Sequence, residues 1–373
     1  MKLVGDPAST SMSNVISSRT KSTNNPKSNN NNNKNKKQKL HHNQYIQSNK
    51  MYNYMINTAN PEEPDLSESN YGSLYTNKSK DSIRLWFTNP CGLGVDPFSH
   101  KSDDSLHFLR HKSKCDIFGL AETNLHWDML HNSATFYSRL RQKWKYFKQI
   151  TSHNIHEKLG KTQRGGTCMA TLGQAAYRHY AHGVDQTGLG RWSWMEFRGK
   201  NEYATRVYTA YRPGGKPCTD SERTTVYHQQ KRYLRKHAIN VEPRDFFDEC
   251  LKEELQVQLE DKNIVLMIDV NQNVQTGPFT KTMAEIGLTN AVDKLNDGPL
   301  PATHHRGSKP ISAMYISACL EATRAGILPK ASGVHGDHRN MFIDITANTF
   351  FGTYMYMIVS PPMKRLQLHD SRI

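Results

Sequence analysis

Several residues that could do metal and phosphate chemistry stand at the ends of short apolar runs. Glu122 follows Ile117-Phe118-Gly119-Leu120-Ala121, and Asn89 follows Leu85-Trp86-Phe87. Asp269 and Asn271 end the run at 264–268, and Asp337 and His338 precede Met341-Phe342-Ile343. Short apolar runs of this kind predict buried strands. Polar side chains at strand ends can converge on one edge of a sheet, where sites commonly form. Glu122 and Asp337 would then supply the oxygen ligands that a hard cation such as Mg²⁺ requires. A histidine beside that cation, His338, can stabilise developing charge on a phosphate. Other chemistries fail on their motifs. The sequence has no Gly-x-x-x-x-Gly-Lys-Ser/Thr loop for a nucleoside triphosphate. His156-Glu157 continues as Lys158-Leu159-Gly160, which breaks the zinc-protease pattern. Asp269-Val270-Asn271-Gln272-Asn273 opens like a calcium loop, but Val274 stands where glycine is required.

The elements that must position these residues interleave. Strands are predicted at 83–87, 115–121, 167–172, 192–197, 204–211, 264–270, 311–317 and 341–345. Helices are predicted at 105–114, 221–239, 243–259 and 279–286, with Asp220 or Ser221 as cap of the second. Residues 140–150 fit either helix or strand. The alternation implies an α/β fold, with a mixed sheet or two packed sheets flanked by helices.

Charge separates a tail from a body. The 373 residues carry a net charge of +15. Residues 1–80 contain 11 Lys+Arg and 5 Asp+Glu, and residues 7–61 contain no acid. The run Asn29–Asn33 is followed by Lys34, Lys36, Lys37 and Lys39. So polar a stretch cannot bury enough apolar surface to offset its ordering entropy, and it predicts a disordered N-terminal tail over 1–80. Its lysines suit nuclear targeting, nonspecific nucleic-acid contact or simple solvation. Six dispersed cysteines without a Cys-x-x-Cys pair suggest reduced thiols. With no secretory signal and no apolar run of membrane-spanning length, the expectation is a nuclear or cytoplasmic protein, not a secreted or membrane one.

The candidate residues also fall in an order that resembles the endonuclease/exonuclease/phosphatase family, which includes deoxyribonuclease I, abasic-site repair endonucleases and retrotransposon endonucleases. Phe87-Thr88-Asn89-Pro90-Cys91-Gly92 resembles its opening N-x-x-G segment, and Leu120-Ala121-Glu122-Thr123-Asn124 its L-x-E-T/Q segment. Gly165-Gly166-Thr167 resembles the start of its central hairpin. Tyr208-Thr209-Ala210-Tyr211-Arg212-Pro213 resembles N-x-Y-x-P, Met267-Ile268-Asp269-Val270-Asn271 resembles G-D-x-N, and Gly336-Asp337-His338 resembles S-D-H. The Asn-Pro-Cys-Gly opening and the Ala-Glu-Thr-Asn block are similar to the retroelement-derived branch.

This resemblance implies a four-layer sandwich, two packed mixed β-sheets flanked by helices, over residues 81–347. It leaves 348–373 as an extension, the start of a linker towards a polymerase region. It implies an Mg²⁺-dependent hydrolase of phosphodiesters, with Mn²⁺ as a substitute and DNA as the expected partner. Glu122 and Asp337 would be metal ligands. Asp269 would position or deprotonate the attacking water, and Asn271 would orient that water or the phosphate. His338 would contact the phosphoryl oxygens, with Tyr211 and Asn89 in support. Three positions depart from the pattern. Ile268 replaces a glycine, and Cys91 stands where some members have Asp or Asn. Ser312 stands where an Asp orients the histidine, so activity could be impaired. Two rivals remain: an inactive nucleic-acid-binding remnant, and a same-family enzyme acting on a phosphoinositide, sphingomyelin or an RNA end. Arg306, Lys309 and Arg339 are candidate phosphate contacts or ordinary loop charges. Trp192 and Trp194 are candidate base platforms, with core packing of at least one the stronger expectation.

Overall fold

Successive residues of a strand point to opposite faces, and this alternation builds the layers. The computed structural model describes residues 69–352, apart from 97–98, 159, 161, 200–202, 216–223 and 331. In β2 (Ser82–Thr88), Leu85 and Phe87 face one apolar cluster while Trp86 faces another. In β3 (Ile117–Ala121), Ile117 and Ala121 join the first cluster, and Phe118 and Leu120 the second. The second cluster is closed by Leu106 and Leu109 of helix Lys101–His111 and by Phe136 and Leu140 of helix Leu130–Lys143. The first fills the space between two sheets and continues over the outer face of the second.

One sheet has seven strands in the order β1-β12-β13-β2-β3-β5-β4, where β1 is Tyr71–Gly72, β12 Ala322–Ile327, β13 Met341–Thr346, β5 Thr167–Leu172 and β4 Phe147–Ser152. The other has six in the order β10-β11-β9-β8-β7-β6: Leu288–Asn290, Ser312–Ser317, Asn263–Asp269, Ala204–Tyr211, Trp192–Arg198 and His179–Val184. Each is mixed, with one parallel pair (β2 with β3, β8 with β9) among antiparallel neighbours. Parallel neighbours need a crossover. Helix Lys101–His111 lies in the first crossover, and helices Val226–Lys236 and Pro243–Leu259 in the second. Phe247, Leu251 and Leu255 of the last cover the second sheet from outside. The result is the expected four layers. The sheets approach closely at Gly119, where a Cβ would overlap the Thr209 hydroxyl and the Met267 methyl.

Paired positions of β2 and β13 hold Arg84 and Asp344, both fully buried. Arg84 Nε and Nη2 donate to Asp344 Oδ1 and Oδ2, each at 2.6 Å, and Nη1 donates to Ser113 O at 2.8 Å and to Tyr75 O. Such a pair is forked and fully satisfied, as a buried charge must be.

Several expectations are corrected. The fold takes in residues of the predicted tail: Tyr71–Gly72 is an edge strand, and Tyr75 packs edge-on against Trp86. Residues 1–68 lie outside the described residues. At the other end, Phe350 and Phe351 of helix Ala347–Phe351 sit in the core, so the packed body runs past 347; 353–373 lie outside the described residues. The ambiguous stretch 140–150 is the end of one helix and the start of β4. The helix expected at 105–114 begins at Lys101, and that expected at 221–239 spans Val226–Lys236. Thr225 is its cap, accepting from His228 N. Asp220 and Ser221 lie outside the described residues. Arg339 is buried, donating to Leu328 O and Ser69 O, and is no surface phosphate contact. Trp192 is packed against Phe247, as core packing requires. Among the described residues no helix is long and apolar enough to cross a membrane.

Candidate active site

Both parallel pairs run towards one end of the sandwich, and their C-terminal ends carry Asn89, Glu122, Tyr211 and Asp269. The antiparallel strands β11 and β13 start at the same end, bringing Ser312 and, just ahead of Met341, Asp337 and His338. All seven sequence-selected residues therefore gather at one edge. Asn89, Asp269, Tyr211 and His338 form its buried floor; Glu122, Asn271 and Asp337 are half-buried at its rim.

Asn89 ties the two sheets' carboxylates together. Its Nδ2 donates to Glu122 Oε2 at 2.9 Å and to Asp269 Oδ2 at 2.8 Å, while its Oδ1 accepts from Cys91 N at 2.8 Å. Asn271 N donates to Asp269 Oδ1 at 3.1 Å, and Asn271 Nδ2 to Arg212 O at 2.7 Å. His338 Nε2 stands 3.6 Å from Asp269 Oδ2, and its Nδ1 is hydrogen-bonded to Ser312 Oγ at 3.1 Å. The predicted Ser312–His338 partnership is thus present. Opposite Ser312 across the β11–β9 pair is Asp269 itself.

The backbone is strained where these side chains emerge. Of six non-glycine residues with positive φ among the described residues, four are Cys91, Glu122, Asn124 and Asn271. Left-handed φ at non-glycine residues is costly and concentrates at functional sites. The turns are pinned by Gly92 N to Glu122 O, Asn124 N to Gly165 O and Arg212 N to Asp269 O. At Gly166 a side chain would press on Ser152 O and the Thr123 hydroxyl, which accounts for glycine there.

Three carboxylates, Glu122, Asp269 and Asp337, share this edge. Glu122 is held above the ordinary carboxylate range, first by burial and then by the charges of Asp269 and Asp337, against the Asn89 hydrogen bond. The Cys91 thiol, at the exposed rim, is pushed up to about 11 by partial desolvation and by the charges of Glu122 and Asp337. Burial, Glu122 and Asp269 push the Tyr211 hydroxyl well above the phenol range, so it remains a proton donor. Asp337 Oδ1 is buried without a partner. An orphaned carboxylate oxygen among repelling carboxylates fits a divalent cation, which would relieve both.

Sequence reasoning missed His304. It pairs with His338 as an isolated bridge, its ring lies 5.0 Å from that of His338, and its Nε2 is 3.5 Å from Asp337 Oδ2. Ligand atoms of His304, Asp337 and His338 lie within 4.8 Å of one another; Glu122 stands outside that trio, held by Asn89. Thr303 anchors the loop, its Oγ1 accepting from Ile311 N and Ser312 N at 2.8 and 3.1 Å. Lys101 was also missed. Its Nζ donates to Pro90 O at 2.6 Å, and Asp337 opposes the lowering that burial imposes on its pKa. Neither residue lies at the end of a predicted strand, and no other sequence signal marks them.

No protein-family model matches the chain, and no curated protein matches it in sequence. Solved structures do. The AP endonuclease LMAP from Leishmania major is similar at a TM-score of 0.54 and 13% identity, over 78% of this chain and 96% of that one. The human Nocturnin catalytic domain, with bound sulfate anion, is similar at a TM-score of 0.50 and 14% identity, over 77% of this chain and 99% of that one. With two mixed sheets packed between helices, the chain therefore has the fold of the endonuclease/exonuclease/phosphatase proteins.

Proposed function

We propose that this chain is an Mg²⁺-dependent phosphodiester hydrolase of retroelement origin that nicks DNA, with Mn²⁺ as a substitute cation. The supporting observation is the convergence of Glu122, Asp269, Asp337 and His338 on one edge of a nuclease-like fold, with Asn89 bridging two of the carboxylates. Glu122 and Asp337 would hold the cation, which supplies positive charge opposite the phosphate oxygens. The chain's own groups do the rest. Asp269, fixed by donors from Asn89 and Asn271, accepts a proton from the attacking water. The hydroxyl of Ser312 can donate to His338 Nδ1, which leaves Nε2–H to face a phosphoryl oxygen. Asn271 keeps the turn that aims Asp269, and Tyr211 remains a neutral donor beside Glu122 and Asn271. Exposed Arg306 and Lys309 beyond His304 suit a polyanionic strand. The Asn-Pro-Cys-Gly opening supports the retroelement origin, and a nucleic-acid substrate implies work in the nucleus or cytoplasm.

A second reading, a binding remnant without activity, is favoured by one observation: the partner of His338 is the neutral Ser312. Plasmid nicking by purified protein with Mg²⁺ and with chelator separates the two. Magnesium-dependent nicking supports the enzyme. Salt-sensitive DNA binding without cleavage supports the remnant and refutes the enzyme.

A further inference from the structure

Four residues beyond Glu122 the chain folds against the end of β4, and three side chains with no part in the site above meet there. They are His126, Asp128 and His153, whose ligand atoms all lie within 4.8 Å of one another. His126 is 4% exposed and His153 8%, whereas the Asp128 side chain is 68% exposed. Neither ring nitrogen of His126 has a hydrogen-bond partner. A buried polar group left so costs about 1–3 kcal/mol, and buried polar groups of native proteins are otherwise satisfied. Asn132 Nδ2 donates to His126 O at 2.9 Å, fixing one side. Gly190, at φ +71, lets its strand-end turn lie directly on the His153 backbone, fixing the other. The two rings are 4.5 Å apart between centroids.

We propose that His126, Asp128 and His153 form a transition-metal site, taking Zn²⁺, separate from the carboxylate edge. Two ligands at about 2.0–2.1 Å on a tetrahedral ion lie about 3.3 Å apart, and His153 Nε2 stands 3.3 Å from Asp128 Oδ2. Two imidazoles with one carboxylate suit Zn²⁺ rather than Mg²⁺, which takes oxygen ligands. Asp128 reaches in from solvent, so the fourth position is open to water. Bound Zn²⁺ would clamp the loop carrying Glu122 to the end of β4. The inference stands whether or not the carboxylate edge cleaves DNA.

The test is Zn²⁺ binding by metal-stripped full-length protein with Mg²⁺ in excess, comparing wild type with Asp128→Asn, His153→Asn and His338→Ala. Asp128 is exposed, so Asp128→Asn leaves the fold intact even where His153→Asn does not. Wild type and His338→Ala are expected to bind one Zn²⁺ that Asp128→Asn binds at least about tenfold more weakly. Co²⁺ in its place should give a tetrahedral visible spectrum in His338→Ala and lose it in Asp128→Asn. Unchanged Zn²⁺ affinity in Asp128→Asn, or binding lost only in His338→Ala, would overturn the assignment.

Discussion

Replacing Ser312 by Asp tests how His338 is held. Ser312 is 1% exposed, and its only side-chain hydrogen bond among the described contacts is the 3.1 Å one to His338 Nδ1. A neutral hydrogen bond contributes about 0.5–1.5 kcal/mol and a charge-assisted one about 1.5–3. The exchange therefore adds about 1.4 kcal/mol to the ring in its protonated form, about tenfold in rate if that form carries the transition state. The carboxylate of Asp269 lies on the ring's far side, 3.6 Å from Nε2. Two carboxylates about 7 Å apart repel by about 2 kcal/mol at an effective dielectric of about 20, and each attracts an imidazolium about 4 Å away by about 4 kcal/mol. The added charge is thus favourable only around a protonated ring. Single-turnover nicking of supercoiled plasmid at saturating Mg²⁺ should quicken about tenfold in Ser312→Asp, and the gain should vanish in a His338→Ala background. Equal gains with and without His338 would refute the pairing, and so would no gain in a folded Ser312→Asp protein.

Other outcomes follow from the same contacts. Because the Glu122 carboxyl is raised in the folded state, its ionisation opposes folding, and its contribution to stability falls as pH rises from the unfolded value of about 4.3 through the native one. Cation-free Glu122→Gln should therefore melt higher than wild type at neutral pH and equal to it in acid. The Mg²⁺ dissociation constant of wild type should rise about tenfold per pH unit below the native value, by calorimetric titration. Asp344→Asn leaves a buried guanidinium unpaired and should cost about 3–5 kcal/mol in urea unfolding, whereas Arg84→Leu with Asp344→Leu should recover much of it. Deleting residues 1–68, which removes Lys34, Lys36, Lys37 and Lys39, should weaken DNA binding most at low salt. If all four meet phosphates, the log–log salt slope should shrink by about 3.6.

Inner strands were legible because they are buried on both faces. Every residue of β8 and β9 is buried; 264–270 therefore reads as an apolar run and Asp269 near its end could be singled out, while 204–211, with Thr205, Arg206 and Thr209, reads as a strand and Tyr211 stood out only by motif. Edge strands gave no such signal. β6 alternates half-buried and exposed positions through His179, Tyr180 and His182, and no strand was predicted there. β4 is half-exposed and follows a helix by three residues, which blurred 140–150. The start of helix Lys101–His111 was hidden because His100 makes no side-chain cap. The site was visible as far as strand ends and motif order carry it. His304 was not, because a loop-to-loop bridge brings it to His338 from 34 residues away. The His126–Asp128–His153 group escaped for the same reason: its members belong to two loops, one after β3 and one after β4, that tertiary packing brings together.

The most direct measurement is plasmid nicking by wild type and Glu122→Gln across a Mg²⁺ titration, with melting temperature recorded for both. Wild type should nick in Mg²⁺ and not in chelator. Glu122→Gln should remain folded and lose nicking by about 100-fold or more at limiting Mg²⁺. Unchanged cleavage by a folded Glu122→Gln protein at limiting Mg²⁺ would contradict a cation site on the carboxylate edge.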